Sequence, residues 1–112
     1  MEYIIESAVA GTSCRASVAQ LLVAQAYDVD LEAMCSAKRS DPRTALARQI
    51  AMYLSHIVLK MSFTQIGAAF GRKRSTACHA LHLVENMRDD PEIDRTLLQL
   101  EVLLRETAGV AA

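Results

Sequence analysis

The sequence has no tryptophan and few other aromatic residues, with three tyrosines and two phenylalanines among its 112 residues. It also has only four glycines and two prolines, which are too few for the many turns of an all-β fold. Its hydrophobic residues, 52% of the chain, are mostly Ala, Leu, Val, Ile and Met, and this mixture favours helices over sheets. The length suits one hydrophobic core and is too short for two. We therefore expect one compact all-α domain.

Paired cysteines and long apolar runs are also lacking. The three cysteines, Cys14, Cys35 and Cys78, are odd in number and not closely spaced, so they indicate no disulfide framework. No cationic start followed by an apolar run marks a signal peptide. Charged or polar residues interrupt every apolar stretch before the roughly 20 residues that cross a bilayer. We expect a cytoplasmic protein that does not enter a membrane.

Side chains suited to catalysis or metal binding are few. The three histidines are His56, His79 and His82, and Cys78 adjoins His79, but no second ligand pair follows at zinc-finger spacing. Isolated Ser, Cys and His residues do not supply the nucleophile, base and orienting group of a hydrolase. We expect no catalytic residues, no metal site and no cofactor.

The net charge of −1 hides an uneven distribution. Residues 38–79, here called the basic segment, have eight cations against one anion, whereas residues 1–37 and 80–112 each carry a net charge of −4. The cations of the basic segment are Lys38, Arg39, Arg43, Arg48, Lys60, Arg72, Lys73 and Arg74. Electrostatic footprints are local, so this segment is the candidate surface for an anionic partner such as a nucleic acid.

The first helix is predicted from apolar residues spaced three and four apart. Thr12 or Ser13 caps it, and it ends near Tyr27. We expect residues 1–12 to form a flexible segment ahead of it. Its predicted core face consists of Val18, Leu21, Leu22 and Gln25 or Ala26.

A short helical turn and then a long helix are predicted next. Asp30 caps the turn, residues 31–36, which is expected to place Leu31 and Met34 against the core. After a basic loop, the apolar spacing over residues 43–61 indicates a long amphipathic helix that forms the spine of the fold. Its core positions are Leu46, Ile50, Tyr53 or Leu54, Ile57 or Val58, and Met61.

Two short helices with a glycine between them follow. Ser62-Phe63-Thr64-Gln65 is a capping-box pattern that begins the first, and Gly71 suits the left-handed end of that helix. Ser75 or Thr76 is predicted to cap the second. These are the parts of a helix-turn-helix, whose second helix enters the major groove of DNA with its amino end. An isolated cationic triplet is usually a solvated loop, but capped helices on both sides favour binding.

The last helix is predicted to begin after Asp90-Pro91 and to reach about residue 106. The domain then spans residues 13–106, and residues 107–112 form a flexible tail. The predicted apolar stripe of this helix comprises Ile93, Leu97, Leu100 and Leu104, widened by Leu98, Val102 and Leu103.

Four motifs in the middle of the chain resemble those of a known family. They are Arg48-Gln49-Ile50-Ala51-Met52-Tyr53-Leu54, Ile66-Gly67-Ala68-Ala69-Phe70-Gly71-Arg72, Ser75-Thr76 and His79-Ala80. In order and approximate spacing they resemble the C-terminal domain (domain IV) of the bacterial replication initiator DnaA. The similarity covers roughly residues 15–105. It implies a helical domain that recognises duplex DNA of the DnaA-box type or related origin sequences.

The resemblance also implies roles for single residues. Arg39 matches a basic-loop arginine that lies in the minor groove, Arg48 and Gln49 match residues near the DNA backbone, and His79 matches a histidine that faces the partner helix or the backbone. With the amino end of the second helix, these residues and Lys38 complete the predicted DNA-binding set. The set is Lys38, Arg39, Arg48, Gln49, Arg72, Lys73, Arg74, Ser75, Thr76 and His79.

The chain departs from the family at the recognition turn. Lys73-Arg74-Ser75-Thr76 stands where the family has Asp-His-Thr-Thr, in a turn one residue shorter. Lysine in place of an acidic acceptor removes a partner for the cytosine amino group and adds non-specific attraction to phosphate, so we expect a changed base preference. The chain also lacks the Gly-rich phosphate loop of an ATPase. We expect a stand-alone DnaA-like protein of the nucleoid that binds duplex DNA sequence-specifically and regulates replication initiation or transcription without ATPase activity.

A second interpretation is a protein-interaction module that has kept this fold. Its acidic flanks, or the stripe of Leu97, Leu100 and Leu104, would bind a replication regulator or a second copy of the chain. The simpler interpretation of that stripe is core packing. The oligomeric state is left open by both interpretations.

Overall fold

Six α-helices form the part of the chain that the structure describes. The computed structural model describes residues 11–36 and 41–109, and no strand occurs within those ranges. The helices are α1 (Gly11–Tyr27), α2 (Leu31–Cys35), α3 (Pro42–Ile57), α4 (Phe63–Phe70), α5 (Arg74–Met87) and α6 (Pro91–Ala108). The predicted all-α class is confirmed. Of the two segments predicted to be flexible, residues 1–10 and 110–112 lie outside the described residues. Residues 11 and 12 and both predicted caps, Thr12 and Ser13, lie within α1, which therefore extends further toward the amino terminus than predicted.

The central helix is α3, which contacts α1, α2, α4 and α5. It begins where the Asp41 carboxylate accepts a hydrogen bond of 2.8 Å from the N–H of Thr44. That hydrogen bond lowers the pKa of Asp41 below its ordinary value. Ile50 and Leu54 are almost fully buried, so α3 is the spine of the fold, as predicted.

The end of α3 comes earlier than the apolar pattern predicted. The helix ends at Ile57 rather than Met61, and Lys60 takes a left-handed conformation with φ 61°. The apolar pattern of the sequence continues past the end of the helix because Val58, Leu59 and Met61 are buried in the turn that follows. The pattern therefore predicted a helix that is too long. The chain therefore leaves the helix without leaving the core.

The core face of α1 differs from the predicted one. Leu21 is 47% exposed, whereas Ala16, Ala19 and Val23 are buried. Val18 and Leu22 are only partly buried, at the edge of the core. The buried face of α1 is therefore formed mainly by small residues, and Leu21 lies outside it.

The short helix α2 buries one of its two predicted core residues. The Asp30 carboxylate caps it by accepting from the N–H of Ala33, as predicted. Met34 is fully buried, but Leu31 is 39% exposed. The structure therefore confirms the predicted core position of Met34 and contradicts that of Leu31.

The last helix, α6, has a narrower apolar face than predicted. Asp90 caps its start by accepting from the N–H of Glu92. Leu97, Leu100 and Leu104 are core residues, with at most 5% exposure. They are unavailable to a partner, so the hypothesis that this stripe is an interaction surface is wrong. The residues predicted to widen it lie on the opposite face, exposed: Leu98, Val102 and Leu103.

The carboxyl end of α6 lies beyond the predicted domain boundary. The helix extends through Thr107 to Ala108, and Gly109 follows in a left-handed conformation with φ 71°. Two residues assigned by sequence to a flexible tail are thus helical. Ala108 is partly buried against the core, so the helix keeps a core contact one turn past Leu104.

Candidate nucleic-acid interface

The helices α4 and α5 are joined by a turn of three residues. The start of α4 has the predicted capping box, in which the Ser62 hydroxyl accepts from the N–H of Gln65 and the Gln65 side chain accepts from the N–H of Ser62. Gly71 ends α4 with φ 65°, in the left-handed region. Both local predictions are confirmed, and they place α5 directly after a sharp bend.

A close contact at Gly67 sets how tightly this bend is packed. A Cβ atom at Gly67 would lie 2.8 Å from the carbonyl oxygen of Arg72 and 3.2 Å from the backbone nitrogen of Arg74. The backbone of α4 therefore touches the turn itself. Sequence reasoning noted Gly67 only within a motif, because nothing local distinguishes a packing glycine inside a helix.

The amino end of α5 has no side-chain cap, contrary to the prediction. The N-cap residue is Lys73, which forms no capping hydrogen bond with its side chain, and the helix begins at Arg74. Ser75 and Thr76 lie inside the first turn, where they are exposed along with both cations. Hydroxyl residues suggested a cap, but the helix begins two or three residues earlier than predicted, so Ser75 and Thr76 lie in its first turn with exposed side chains.

This open end distinguishes α5 from its neighbours. The side chains of Asp30, Asp41, Ser62 and Asp90 cap the helices α2, α3, α4 and α6 respectively. The first N–H groups of a helix have no partner within it, and they carry a partial positive charge. At α5 these groups meet no capping oxygen from Lys73 and lie among exposed cations.

A shallow cavity lies between α3 and α5 and gathers half of the predicted set. Five predicted DNA-binding residues line it: Arg48 and Gln49 from α3, Arg72 from the turn, and Thr76 and His79 from α5. Thr76 and His79 are exposed. The fold thus brings together residues separated by up to 31 positions in the sequence, on the side where α5 begins.

Two arginines of this cavity hold the carboxyl end of α2. Nε of Arg48 donates to the carbonyl oxygen of Met34 at 2.7 Å, and its Nη2 donates to that of Ala33 at 3.4 Å. Nη2 of Arg72 donates to the carbonyl oxygen of Ser36 at 2.7 Å. The last carbonyls of a helix have no partner within it, and positive charge is favourable there.

The charges of Arg48 and Arg72 determine the electrostatics of the cavity. Burial lowers the pKa of Arg48 from its ordinary value, and the positive charge of Arg72 lowers it further. Both guanidinium groups nevertheless stay charged at any physiological pH. The cavity therefore holds two cations close together, which adds to the local positive potential.

The remaining predicted contacts, Lys38 and Arg39, lie outside the described residues. They follow Ser36 in the sequence, and the carbonyl of Ser36 is the one that Arg72 holds.

A cluster that sequence reasoning missed fixes the other end of α5. Arg88 donates from Nε to Asp94 at 2.6 Å and from Nη1 to Glu101 at 2.6 Å and to the hydroxyl of Tyr53 at 2.9 Å. Burial alone would lower the pKa of Arg88, but these hydrogen bonds outweigh it and raise the pKa. Arg88 thus ties α5 to α3 and α6.

Disulfides, clusters of metal ligands and membrane-spanning helices are not found among the residues that the structure describes, 11–36 and 41–109. Cys35 and Cys78 are unpaired thiols, and no group of three potential metal ligands occurs in these ranges. None of the helices described there combines the length and the apolar character that a membrane crossing requires.

The fold and the geometry of α4, the turn and α5 define a helix-turn-helix protein. The chain also matches the family model described as the bacterial DnaA protein helix-turn-helix, over residues 17–84. It therefore belongs to the DnaA helix-turn-helix family, and the resemblance found in the sequence is confirmed.

Relatives and solved structures agree with this assignment. The chain is 41% identical over 88 residues to the chromosomal replication initiator protein DnaA of Laribacter hongkongensis strain HLHK9, an alignment that covers 77% of this chain and 18% of that protein. It is similar to a structure titled crystal structure of DNA replication initiation factor, with a TM-score of 0.81 and 30% identity over 93% of this chain and 32% of the other. A DnaA bound to AMPPCP and single-stranded DNA gives the same TM-score and coverage at 28% identity.

Proposed function

We propose that the chain binds double-stranded DNA by inserting the amino end of α5 into the major groove. The observation that carries this proposal is the uncapped first turn of α5 with its exposed side chains of Lys73, Arg74, Ser75 and Thr76. Backbone N–H groups at a helix start bind phosphate. An arginine there can bind guanine with two parallel hydrogen bonds, and hydroxyls reach either bases or phosphates.

The cavity beside α5 supplies contacts to the DNA backbone in this proposal. Gln49 and His79 line it together with Thr76, so a strand lying along α5 would pass over them. Membership of the DnaA family supports a further contact, in which Lys38 and Arg39 lie in the neighbouring minor groove. Phosphate contacts fix the orientation of the protein, and base contacts select the sequence.

Arg48 and Arg72 have a second role in the proposal, as positioning residues. Their guanidinium groups donate to the carbonyls of Met34 and Ser36, shortly before Lys38 and Arg39 of the predicted basic loop in the sequence. They would hold the start of that loop beside α5 while their charge attracts the DNA backbone.

The base preference is proposed to differ from that of the DnaA box. Lys73 and Arg74 are both exposed at the first turn of α5, and neither can accept a hydrogen bond from a base amino group. Arginine favours guanine, which offers two acceptors in the major groove. Selection of duplexes from a random pool should therefore enrich sites with guanine at the position that Arg74 contacts.

The biological role proposed is regulation of replication initiation or of transcription at DnaA-box-like or origin sequences in the nucleoid. The matched relative is named a chromosomal replication initiator, which favours replication. The aligned region is 18% of that relative, and in the proposal it contributes DNA binding and no catalysis.

Fluorescence anisotropy with a labelled duplex tests the docking mode. Arg74→Ala is expected to weaken binding about tenfold, because a charge-assisted hydrogen bond is worth roughly 1.5 kcal/mol or more. Arg15→Ala is the matched control, since Arg15 is an exposed arginine on α1, and it should bind within about twofold of the unchanged chain. Circular dichroism should show the same helix content and Tm for both variants. Equal affinity of Arg74→Ala and the unchanged chain would refute this docking mode.

A further inference from the structure

The outer face of α6 carries an exposed apolar strip that lies outside the described core. Leu98, Val102 and Leu103 are 50%, 54% and 45% exposed, and with Gln99 and Glu106 they line one shallow cavity. Leu97, Leu100 and Leu104 on the opposite face make the core contacts. Three large apolar side chains clustered on one helix face mark an interaction surface more often than scattered ones do.

The order of residues along this face is symmetric in a way that a self-contact requires. Positions 95, 99, 102 and 106 are spaced four, three and four apart, so they form one line along the outside of α6. Leu98 and Leu103 flank that line on its two sides. The pair Arg95 and Glu106 is centred between residues 100 and 101. Leu98 and Val102, four positions apart, are neighbours on the same side of the helix.

The charges at the two ends of the line are opposite. Arg95 and Glu106 are both exposed and are about 16 Å apart along the helix axis, at 1.5 Å per residue, which is too far for an ion pair within α6. The ion pairs that α6 does form use Asp94, Glu101 and Arg105. The strip thus has a basic end, an apolar middle and an acidic end.

We propose that this face binds a second copy of the same chain, with the two α6 helices antiparallel about a twofold axis near residues 100 and 101. In that arrangement Arg95 of each protomer faces Glu106 of its partner. Leu98 of each lies against Val102 of its partner, because a twofold axis keeps both residues on the same side of the contact. An isologous contact demands a patch that is complementary to its own inverted copy. This patch meets that condition because its two ends carry opposite charges and its middle is apolar. A different protein, or the apolar residues near the amino terminus of the same chain, would gain nothing from that inversion symmetry.

The expected association is weak, because one exposed face of a single helix is smaller than a standard interface. Mass action then makes it dependent on protein concentration. The apolar middle should keep the association only modestly sensitive to salt, in contrast to binding that releases counterions from DNA.

Sedimentation velocity on the full chain without DNA, over about a hundredfold range of concentration, tests the proposal. The unchanged chain should shift from monomer toward dimer as concentration rises. Arg95→Glu should abolish the shift, because it places two glutamates opposite each other at both ends of the contact. Glu106→Arg should do the same with two arginines. The double variant Arg95→Glu/Glu106→Arg restores opposite charges and should restore dimerisation.

A second pair of variants checks the apolar middle. Leu98→Gln should reduce dimerisation, whereas Leu21→Gln, an equally conservative change at a 47% exposed leucine of α1, should not. Arg74→Ala should dimerise like the unchanged chain, so failure of DNA binding and failure of this proposal are distinguishable. A chain that stays monomeric at every concentration, or a double charge reversal that does not restore the dimer, would overturn the proposal. Both results would point to another occupant of the strip.

Discussion

The absence of a side chain at Gly67 determines where α5 is placed. Its Cα faces the backbone of Arg72 and Arg74, where a Cβ would come within 2.8 Å of a carbonyl oxygen. Backbone atoms on both sides of a tight turn cannot rotate away as a flexible side chain can. The first turn of α5 therefore stays in place only while position 67 is glycine.

We predict that Gly67→Ala destabilises the domain by about 1 kcal/mol, even though alanine is the better helix former. Helix propensity favours alanine by up to about 1 kcal/mol, and overpacking costs about 1–3 kcal/mol, so overpacking wins. Affinity for duplex DNA should also fall, because the amino end of α5 must move. Gly71→Asn is the control, since asparagine tolerates the left-handed conformation of this position. Its free energy of unfolding in urea and its duplex affinity by anisotropy should be close to those of the unchanged chain.

Arg88 contributes to the stability of the domain and is not part of the proposed DNA-binding set. Its guanidinium faces Asp94 and the nearly buried Glu101, which is 8% exposed. Arg88→Met keeps most of the apolar stem of the side chain but removes the guanidinium, which leaves Glu101 with the 3.9 Å contact to Arg105 as its remaining ion pair among the described residues. We expect a loss of about 2 kcal/mol in the free energy of unfolding.

The compensating variant separates charge from packing at this cluster. Arg88→Met/Glu101→Gln should recover part of the lost stability, because a neutral amide costs less to bury than an unpaired carboxylate. Arg15→Met, at an exposed arginine, should change stability by less than about 0.5 kcal/mol. If Arg88→Met melts at the same temperature as Arg15→Met, the cluster contributes no net stability.

At the scale of elements, α2 is held in place by its neighbours more than by its own sequence. A helix of five residues is far below the length that is stable alone. Its Asp30 cap is local, but its carboxyl end depends on hydrogen bonds from Arg48 and Arg72. The carboxyl end of α2, which precedes Lys38 and Arg39 in the sequence, is therefore held by α3 and the α4–α5 turn.

A double-mutant cycle tests the positioning role proposed for Arg72. Arg72→Met and Arg39→Ala should each weaken duplex binding. If Arg72 acts through the loop, the double variant should lose clearly less than the sum of the two single losses in binding free energy. Additive losses would instead mean that Arg72 contacts DNA independently of Arg39.

At the scale of the whole molecule, the near-zero net charge hides an uneven distribution of charge along the chain. The basic segment lies between two stretches with a net charge of −4 each. DNA binding depends on the local face, because the Debye length at physiological salt is about 8 Å and screens the distant acidic residues. A net charge of −1 is thus compatible with strong attraction to phosphate.

We predict a steep dependence of duplex affinity on salt. The logarithm of the association constant should fall linearly with that of the salt concentration, by about 0.9 per phosphate contacted. Arg74→Ala should reduce this slope by about one if Arg74 contacts a phosphate, and should relax sequence selectivity with little change in slope if it contacts a base. A duplex affinity that does not respond to salt would contradict binding through the basic segment.

Features encoded within one helical turn could be predicted from the sequence. The capping box at Ser62, the left-handed end at Gly71 and the caps at Asp30 and Asp90 depend on residues two to four positions apart. The core positions of α3 and α6 follow from a spacing of three and four residues. The DnaA-like motifs could be recognised for a similar reason, since they are short and contiguous.

Features that depend on how helices pack were decided only by the tertiary structure. The hydrogen bonds from Arg72 to Ser36 and from Arg88 to Tyr53 join residues 36 and 35 positions apart, and no local pattern specifies them. The core face of α1 was mispredicted because the fold buries Ala16 and Ala19 and leaves the larger Leu21 exposed, a choice that apolar spacing does not specify. Local hydrogen bonding and periodicity determine where helices form and end, whereas side-chain volume and long-range pairing determine which of their faces meet.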